Sequence, residues 1–122
     1  MAPLLLRSAI GRTALLILAV ACLSATKLDS MPEGDGTVLD NTGLMFLSNL
    51  WIGRKHDNSR LPLLLAGGLG GTLETGRTLD YLSAGDDNRK MCSLYLSLMD
   101  RMGLKPDRFG DATQRLERLS RE

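Results

Sequence analysis

The chain alternates between apolar runs and polar, glycine-containing segments, and the length of each run predicts a different element. Ten consecutive apolar residues occupy positions 14–23. Two shorter runs, 42–50 and 61–66, have the length of strands. Their apolar character is continuous rather than alternating, which is typical of strands covered on both faces, as in a parallel sheet. The polar segments 26–41 and 51–60 are therefore predicted to be loops.

The clearest helix is predicted for residues 89–102, where apolar side chains recur with helical spacing. Asp87 or Asn88 can cap its start, and Gly103 provides a stop signal. The spacing places six apolar residues on one face, which we expect to be buried. They are Met91, Leu94, Tyr95, Leu98, Met99 and Met102.

Two weaker elements are expected around this helix. Residues 77–82 are predicted to form a short edge strand, and a last short helix is predicted to begin at Asp111. Leu116 and Leu119 are the only apolar anchors of that last helix. Its remaining charged side chains are expected to form a solvated face; they are Arg115, Glu117, Arg118, Arg121 and Glu122.

Residues 1–25 have the order of a secretory signal. Arg7 and Arg12 occur without any acidic residue, the apolar run follows, and Leu23-Ser24-Ala25 resembles a cleavage site. The run is shorter than the roughly 20 residues of a spanning helix, so we expect no stable membrane span after cleavage and an exported mature chain of residues 26–122. The alternatives are an ordinary core segment or a wrongly assigned start.

Composition narrows the function classes. Hydrophobic residues make up 43% of the chain and charged residues 24%, as in ordinary globular proteins. Fifteen basic and 14 acidic side chains give a net charge of +1, which argues against a nucleic-acid partner. Cys22 lies in the predicted signal, so Cys92 would have no internal disulfide partner. We expect Cys92 to be a small buried hydrophobe.

The candidate chemistry is concentrated near the second apolar run. His56, the only histidine, lies beside Asp57 in the polar segment that leads into that run. After the run comes Gly67-Gly68-Leu69-Gly70-Gly71. This glycine segment approaches a phosphate-binding pattern, but Leu73 stands where the third glycine of G-x-G-x-x-G belongs, and no lysine follows. We therefore interpret it as a flexible turn.

The predicted elements are few for a self-sufficient domain. Removing 25 of the 122 residues leaves 97, with two good strands and one good helix. A two-stranded sheet with one helix buries little apolar surface. The sequence therefore predicts an incomplete domain, or a chain that associates with itself or with a partner through exposed strand edges.

Several sequence blocks closely resemble the C-terminal end of the bacterial exported family called domain of unknown function 1552. The resemblance extends over residues 27–119 and corresponds to roughly the last quarter of a typical member. The blocks are KLDSMPEGDGTVLDNT (27–42), LPLLLAGGLGGTL (61–73), TGRTLDY (75–81), NRKMCSLYLSLMDRMG (88–103) and DRFGDA (107–112).

That family is in turn similar to the alkaline phosphatase and sulfatase superfamily, which implies an α/β fold with a partial alkaline-phosphatase-like sheet and flanking helices. The resemblance implies that His56 is a ligand of a divalent metal, with Asp57 as an ion partner or as a group that orients the ligand. Asn49 and Leu50 stand where the superfamily has Asp and His. The nucleophile and first acidic ligands of the superfamily would lie upstream of Lys27.

Three functions are compatible with these observations. The first is the C-terminal part of an exported alkaline-phosphatase-like protein, without independent catalysis. The second is a small secreted binding or interaction module. The third is a metal-dependent hydrolase of phosphate or sulfate esters, which would need more ligands than this chain offers.

Overall fold

The computed structural model describes residues 9–48, 59 and 61–119, and only the backbone of residues 9–14. It is a mixed α and β structure with small antiparallel sheets. A 3-10 turn at Asp86–Asn88 precedes the last helix. In chain order the other elements are α1 (Ala9–Asp29), β1 (Pro32–Glu33), β2 (Gly36–Thr37), α2 (Val38–Asn41), β3 (Leu44–Leu47), β4 (Leu63–Ala66) and α3 (Met91–Arg101).

Helix α1 continues beyond the predicted signal. It passes Ala25 and ends at Asp29, so the prediction that a loop begins at residue 26 is wrong. The hydroxyl of Thr26 donates to the carbonyl of Cys22 at 2.8 Å within the helix. The hydroxyl of Ser30 donates to the carbonyl of Lys27 at 2.7 Å at its end. In the part of the chain that the structure describes, no helix has both the length and the apolarity needed to cross a bilayer.

The segment after α1 is also more ordered than a loop. Strands β1 and β2 form an antiparallel hairpin whose turn contains Gly34 with φ 58°. Thr37 then caps α2, because its hydroxyl accepts from the Asp40 amide at 3.3 Å while the Asp40 carboxylate accepts from the Thr37 amide at 2.8 Å. This reciprocal capping box stabilises a helix of only one turn.

Strands β3 and β4 pair antiparallel, not parallel as predicted. Leu44 lies opposite Ala66 and Leu47 lies opposite Leu63. Both strands are shorter than the apolar runs that contain them. Antiparallel neighbours need no crossover helix, and none of the described elements lies between these two strands in the chain.

Helix α3 spans most of its predicted range, but its buried face differs from the predicted one. Leu96 is fully buried and Met102 is 67% exposed. Ser93 and Ser97 are also buried, because the last part of the chain packs on this side of the helix. The Leu116 amide donates to the Ser97 hydroxyl at 2.8 Å and to the Ser93 carbonyl at 3.2 Å. Two small serines allow the backbone to approach this closely.

Residues 107–119, here called the C-terminal arm, contain no helix, so the helix predicted from Asp111 is wrong. Phe109 and Ala112 instead form an isolated antiparallel bridge. Gly110 and Arg118 have positive φ angles of 55° and 61°. The arm is held by contacts with α3 rather than by its own helical hydrogen bonds, and Leu119 is buried at its end.

The edge strand predicted over residues 77–82 is also absent from the structure. The Leu82 amide donates to the Asp80 carboxylate at 2.8 Å, a local side-chain bond that competes with strand pairing. The Tyr81 hydroxyl donates to the carbonyl of Glu117. This segment therefore joins the C-terminal arm through side chains rather than through a ladder.

The core of the described residues is small. The hydrophobic residues that are buried are Ala21, Leu94, Leu96, Ala112 and Leu119. Four of the five belong to α3 or the C-terminal arm, so most of this described core lies between those two segments. Cys92 is a free thiol and only half-buried, so it is less enclosed than predicted.

Candidate functional site

The two residues predicted to bind a metal, His56 and Asp57, lie outside the described residues. Their flanking strands are described: Leu47 at the end of β3 pairs with Leu63 at the start of β4. The chain therefore leaves β3 and enters β4 at the same end of the sheet. Among the described residues, no group of three or more His, Cys, Asp or Glu side chains could hold a metal ion.

The glycine segment after β4 is a structural corner against α2. The amides of Gly68 and Gly70 donate to the carbonyls of Leu39 and Asp40 at 3.1 and 2.9 Å. The Leu69 amide donates to the Thr42 carbonyl at 3.2 Å. These three amides are committed to protein carbonyls, so they do not form a cradle for a phosphate. The interpretation as a turn is confirmed.

The corner requires glycine at its first two positions. A Cβ on Gly67 would lie 2.1 Å from the Thr42 carbonyl oxygen, and one on Gly68 would lie 2.5 Å from that of Asp40. Gly67 also has φ 95°, which side chains disfavour. The glycines thus permit β4 and α2 to approach through their backbones.

The sheet formed by β3 and β4 exposes apolar surface on both faces. Directly opposed residues share a face, so Phe46 and Leu64 lie on one face and Leu47 and Leu63 on the other. Leu64 is 45% exposed and Leu47 is 41% exposed. The other six strand residues are half-buried, and none of the eight is charged or polar. Within the described residues, each strand is paired on one edge only.

Helix α1 presents a second apolar surface. Over the part of the helix whose side chains are described, six large aliphatic residues are more than half exposed. They are Leu15, Leu16, Ile17, Leu18, Val20 and Leu23. Ala21, at 3% exposed, is the buried residue of this stretch.

A polar cleft lies between the end of α3, the glycine corner and the C-terminal arm. Its volume is about 460 Å³. The side chains that line it are Thr72, Ser97, Asp100, Arg101, Lys105, Arg115 and Leu116. Sequence reasoning missed this cleft, because it assigned Arg115 to a solvated helical face and did not consider Arg101 or Lys105.

One ion pair organises the cleft. The Arg115 guanidinium donates to both carboxylate oxygens of Asp100, with Nε at 2.8 Å and Nη2 at 2.9 Å. These hydrogen bonds lower the pKa of the Asp100 carboxyl and raise the pKa of Arg115. Both side chains are about one-third exposed, so solvent screens the pair. The fork geometry fixes the orientation of the guanidinium plane.

A second, smaller depression of about 310 Å³ lies near Tyr81. The Arg118 guanidinium carbon sits 5.1 Å from the centre of the Tyr81 ring. An Arg118 Nη2 group also donates to the Asp80 carbonyl at 2.9 Å. The Arg118 guanidinium therefore binds groups of the protein itself. We interpret these contacts as holding the C-terminal arm against the segment that contains Asp80 and Tyr81.

Comparison of the chain with family models, with curated proteins and with solved structures finds no significant match.

Proposed function

We propose that this chain is an exported interaction module without independent catalysis, which associates with a second copy of itself through the sheet formed by β3 and β4. The observation that carries the proposal is that both faces of this sheet are apolar and neither is fully covered. The continuous apolar sequence of the strands is typical of double coverage. In the described part of the chain, other residues cover only part of the two faces of the sheet.

The edges of the sheet support the same proposal. Protein sheets commonly protect open edges with charged residues, proline or bulges. Strands β3 and β4 contain no charged residue and no proline. Their four residue pairs are consecutive, so the ladder has no bulge. Two strands alone make a sheet of marginal stability. Additional strands from another polypeptide would therefore stabilise it by β-augmentation.

The exposed apolar side chains also support association. Among the described residues, 13 large hydrophobic side chains are exposed while five hydrophobic residues are buried. Association would remove part of this apolar surface from water.

The charges favour a second copy of this chain as the partner that binds the sheet. The sheet carries no charge that would repel an identical sheet, and its apolar residues are complementary to themselves. The net charge of the whole chain is only +1, so long-range repulsion between copies is weak. Two copies joined antiparallel at one edge around a two-fold axis would form a four-stranded sheet. The apolar face that carries Leu64 would then run across both copies, so a charge there would disturb the shared surface.

The proposal also includes the family resemblance described for the sequence. The sequence blocks that span residues 27–112 resemble the C-terminal part of the exported family domain of unknown function 1552. The mixed α and β structure is compatible with a partial alkaline-phosphatase-like sheet. In that context, the open sheet would be the surface through which the chain meets further strands.

Sedimentation velocity of the full chain over a wide concentration range tests self-association. We expect a concentration-dependent dimer. Leu64→Lys places a charge on the exposed face of β4 and should weaken dimerisation by at least about tenfold. Leu82→Lys is the matched control, because Leu82 is 56% exposed outside the sheet.

Circular dichroism establishes that both variants keep the native secondary structure. A monomer at every concentration would overturn the proposal. Equal association of the wild type and Leu64→Lys would also contradict it and would implicate another apolar surface, such as α1.

A further inference from the structure

We propose that the cleft between the end of α3 and the C-terminal arm binds a small oxyanion, a carboxylate or phosphate group, through Arg115 and Lys105. This inference is independent of self-association through the sheet. It rests on two side chains that line a concave surface and carry hydrogen-bond donors without an acceptor among the described residues.

Arg115 has one nitrogen free to bind a ligand. Its Nε and Nη2 atoms are occupied by Asp100, and Nη2 also donates to the Pro106 carbonyl at 2.9 Å. Its Nη1 atom donates to none of the described residues. Because the guanidinium is rigid and planar, the other bonds fix the direction of the two Nη1 hydrogens.

Lys105 contributes the second donor group. Its side chain lines the cleft and is exposed, and its Nζ atom has no hydrogen-bond partner among the described residues. Lys90, at the start of α3, provides the contrast. There Nζ binds the Asp87 carboxylate and the Asp111 carbonyl, both at 3.0 Å.

The local charge balance favours an anion. Arg101, Lys105 and Arg115 place three positive charges on the cleft, while Asp100 is its one lining carboxylate. Part of this positive charge compensates the carbonyl end of α3, where Arg101 donates to the Ser97 carbonyl at 2.6 Å. That end carries only about half a negative charge. Asp100 is already paired with Arg115, so Lys105 faces no unpaired carboxylate among the residues that line the cleft.

Asp107 opposes the positive charges of the cleft from outside the lining. Its charge acts on Arg115 and favours the protonated guanidinium. It therefore competes electrostatically with an incoming anion. Removal of the Asp107 charge should strengthen anion binding, whereas removal of the Lys105 charge should weaken it.

The size of the cleft suits a small ligand. A volume of about 460 Å³ exceeds that of a single carboxylate or phosphate group, and leaves room for the molecule that bears it. Charge-assisted N–H donors recognise both groups, so the shared chemistry is an oxyanion with at least two oxygens. Chloride presents no such pair of acceptors.

Titration of the full chain with inorganic phosphate, succinate and glycerol phosphate, followed by ¹⁵N NMR of the arginine Nε–H signals, tests the inference. Sodium chloride at matched ionic strength is the reference. We expect saturable shifts of the Arg115 and Arg101 signals. Lys105→Gln should weaken binding by about fivefold, and Asp107→Asn should strengthen it.

Arg108→Gln is the matched control, because Arg108 is exposed in the C-terminal arm but does not line the cleft. It should change the affinity little. The absence of saturable shifts with all three oxyanions would overturn the inference. So would equal shifts with chloride, or an equal loss of affinity in Lys105→Gln and Arg108→Gln. A response to glycerol phosphate or succinate alone would support the inference and identify the class of ligand.

Discussion

Gly67 allows the turn after β4 to pass against the backbone of α2. Its φ angle is 95°, and an added Cβ would lie 2.1 Å from the Thr42 carbonyl oxygen. Neither problem can be relieved by rotating a side chain, because the obstructing atom belongs to the backbone. The position therefore combines a conformational requirement with a steric one.

Gly67→Ala is expected to destabilise the protein by about 3 kcal/mol, from left-handed strain and displacement of the backbone of α2. Gly70→Ala is the matched control. Gly70 also has a positive φ, of 70°, but no atom lies within 4 Å of the position that its Cβ would occupy. That variant should lose about 1 kcal/mol from strain alone. Urea unfolding measures both, and equal losses would contradict the role of the close approach.

The residues of the cleft illustrate what spacing along the chain cannot give. Asp100 and Arg115 are separated by 15 positions, and no helical or strand periodicity pairs them. Their hydrogen bonds depend on the path of the C-terminal arm. The sequence pattern around Arg115 favours a solvated helix, which would have placed this guanidinium elsewhere.

At the scale of elements, α3 is the part of the chain that the sequence predicts best. Its range follows to within a few residues from apolar spacing and from Gly103. Its buried side was predicted only in part, since Leu94 is buried while Met102 is not. Ser93 and Ser97 are polar and were not expected in the core. They are buried because the C-terminal arm packs on them, and its Leu116 amide donates to the Ser93 carbonyl and to the Ser97 hydroxyl.

Leu96→Ala should therefore destabilise the protein by about 2 to 5 kcal/mol, since Leu96 is fully buried. Met102→Ala removes a similarly large apolar side chain that is 67% exposed, and should change stability by less than about 0.5 kcal/mol. Thermal or urea unfolding followed by circular dichroism compares the two. A larger loss in Met102→Ala would restore the face predicted from spacing.

The sheet shows how one apolar pattern fits two topologies. Continuous apolar strands are typical of parallel sheets, yet β3 and β4 are antiparallel. The apolar pattern of a strand indicates whether one or both of its faces are buried. The direction of the strand depends instead on how it is connected to its neighbour. The sequence thus predicted the strands and their apolar faces, but not their direction.

At the scale of the whole molecule, the metal hypothesis can be separated from the interaction hypothesis. The resemblance to the alkaline phosphatase superfamily assigns His56 and Asp57 to a divalent metal site. A zinc site needs three or four protein ligands. A non-catalytic module is not expected to gain stability from a metal, because two candidate ligands hold it too weakly.

We therefore expect the melting temperature of the full chain to be the same with excess zinc, manganese or calcium as with a chelator. Differential scanning calorimetry provides the measurement. A rise with one metal that is lost in His56→Ala and retained in the neighbouring control Asn58→Ala would contradict the proposal. That result would favour a metal-dependent hydrolase instead.

The sequence by itself predicted the strands within residues 42–50 and 61–66, the helix within residues 89–102, the turn at the glycine segment, and the small buried surface of these elements. These properties follow from local spacing and from the conformational freedom of glycine. The tertiary structure alone decided the direction of β4, the burial of Ser93 and Ser97, and the meeting of Asp100 with Arg115. Each of these depends on contacts between segments distant in the chain, whose geometry is set by packing rather than by local pattern.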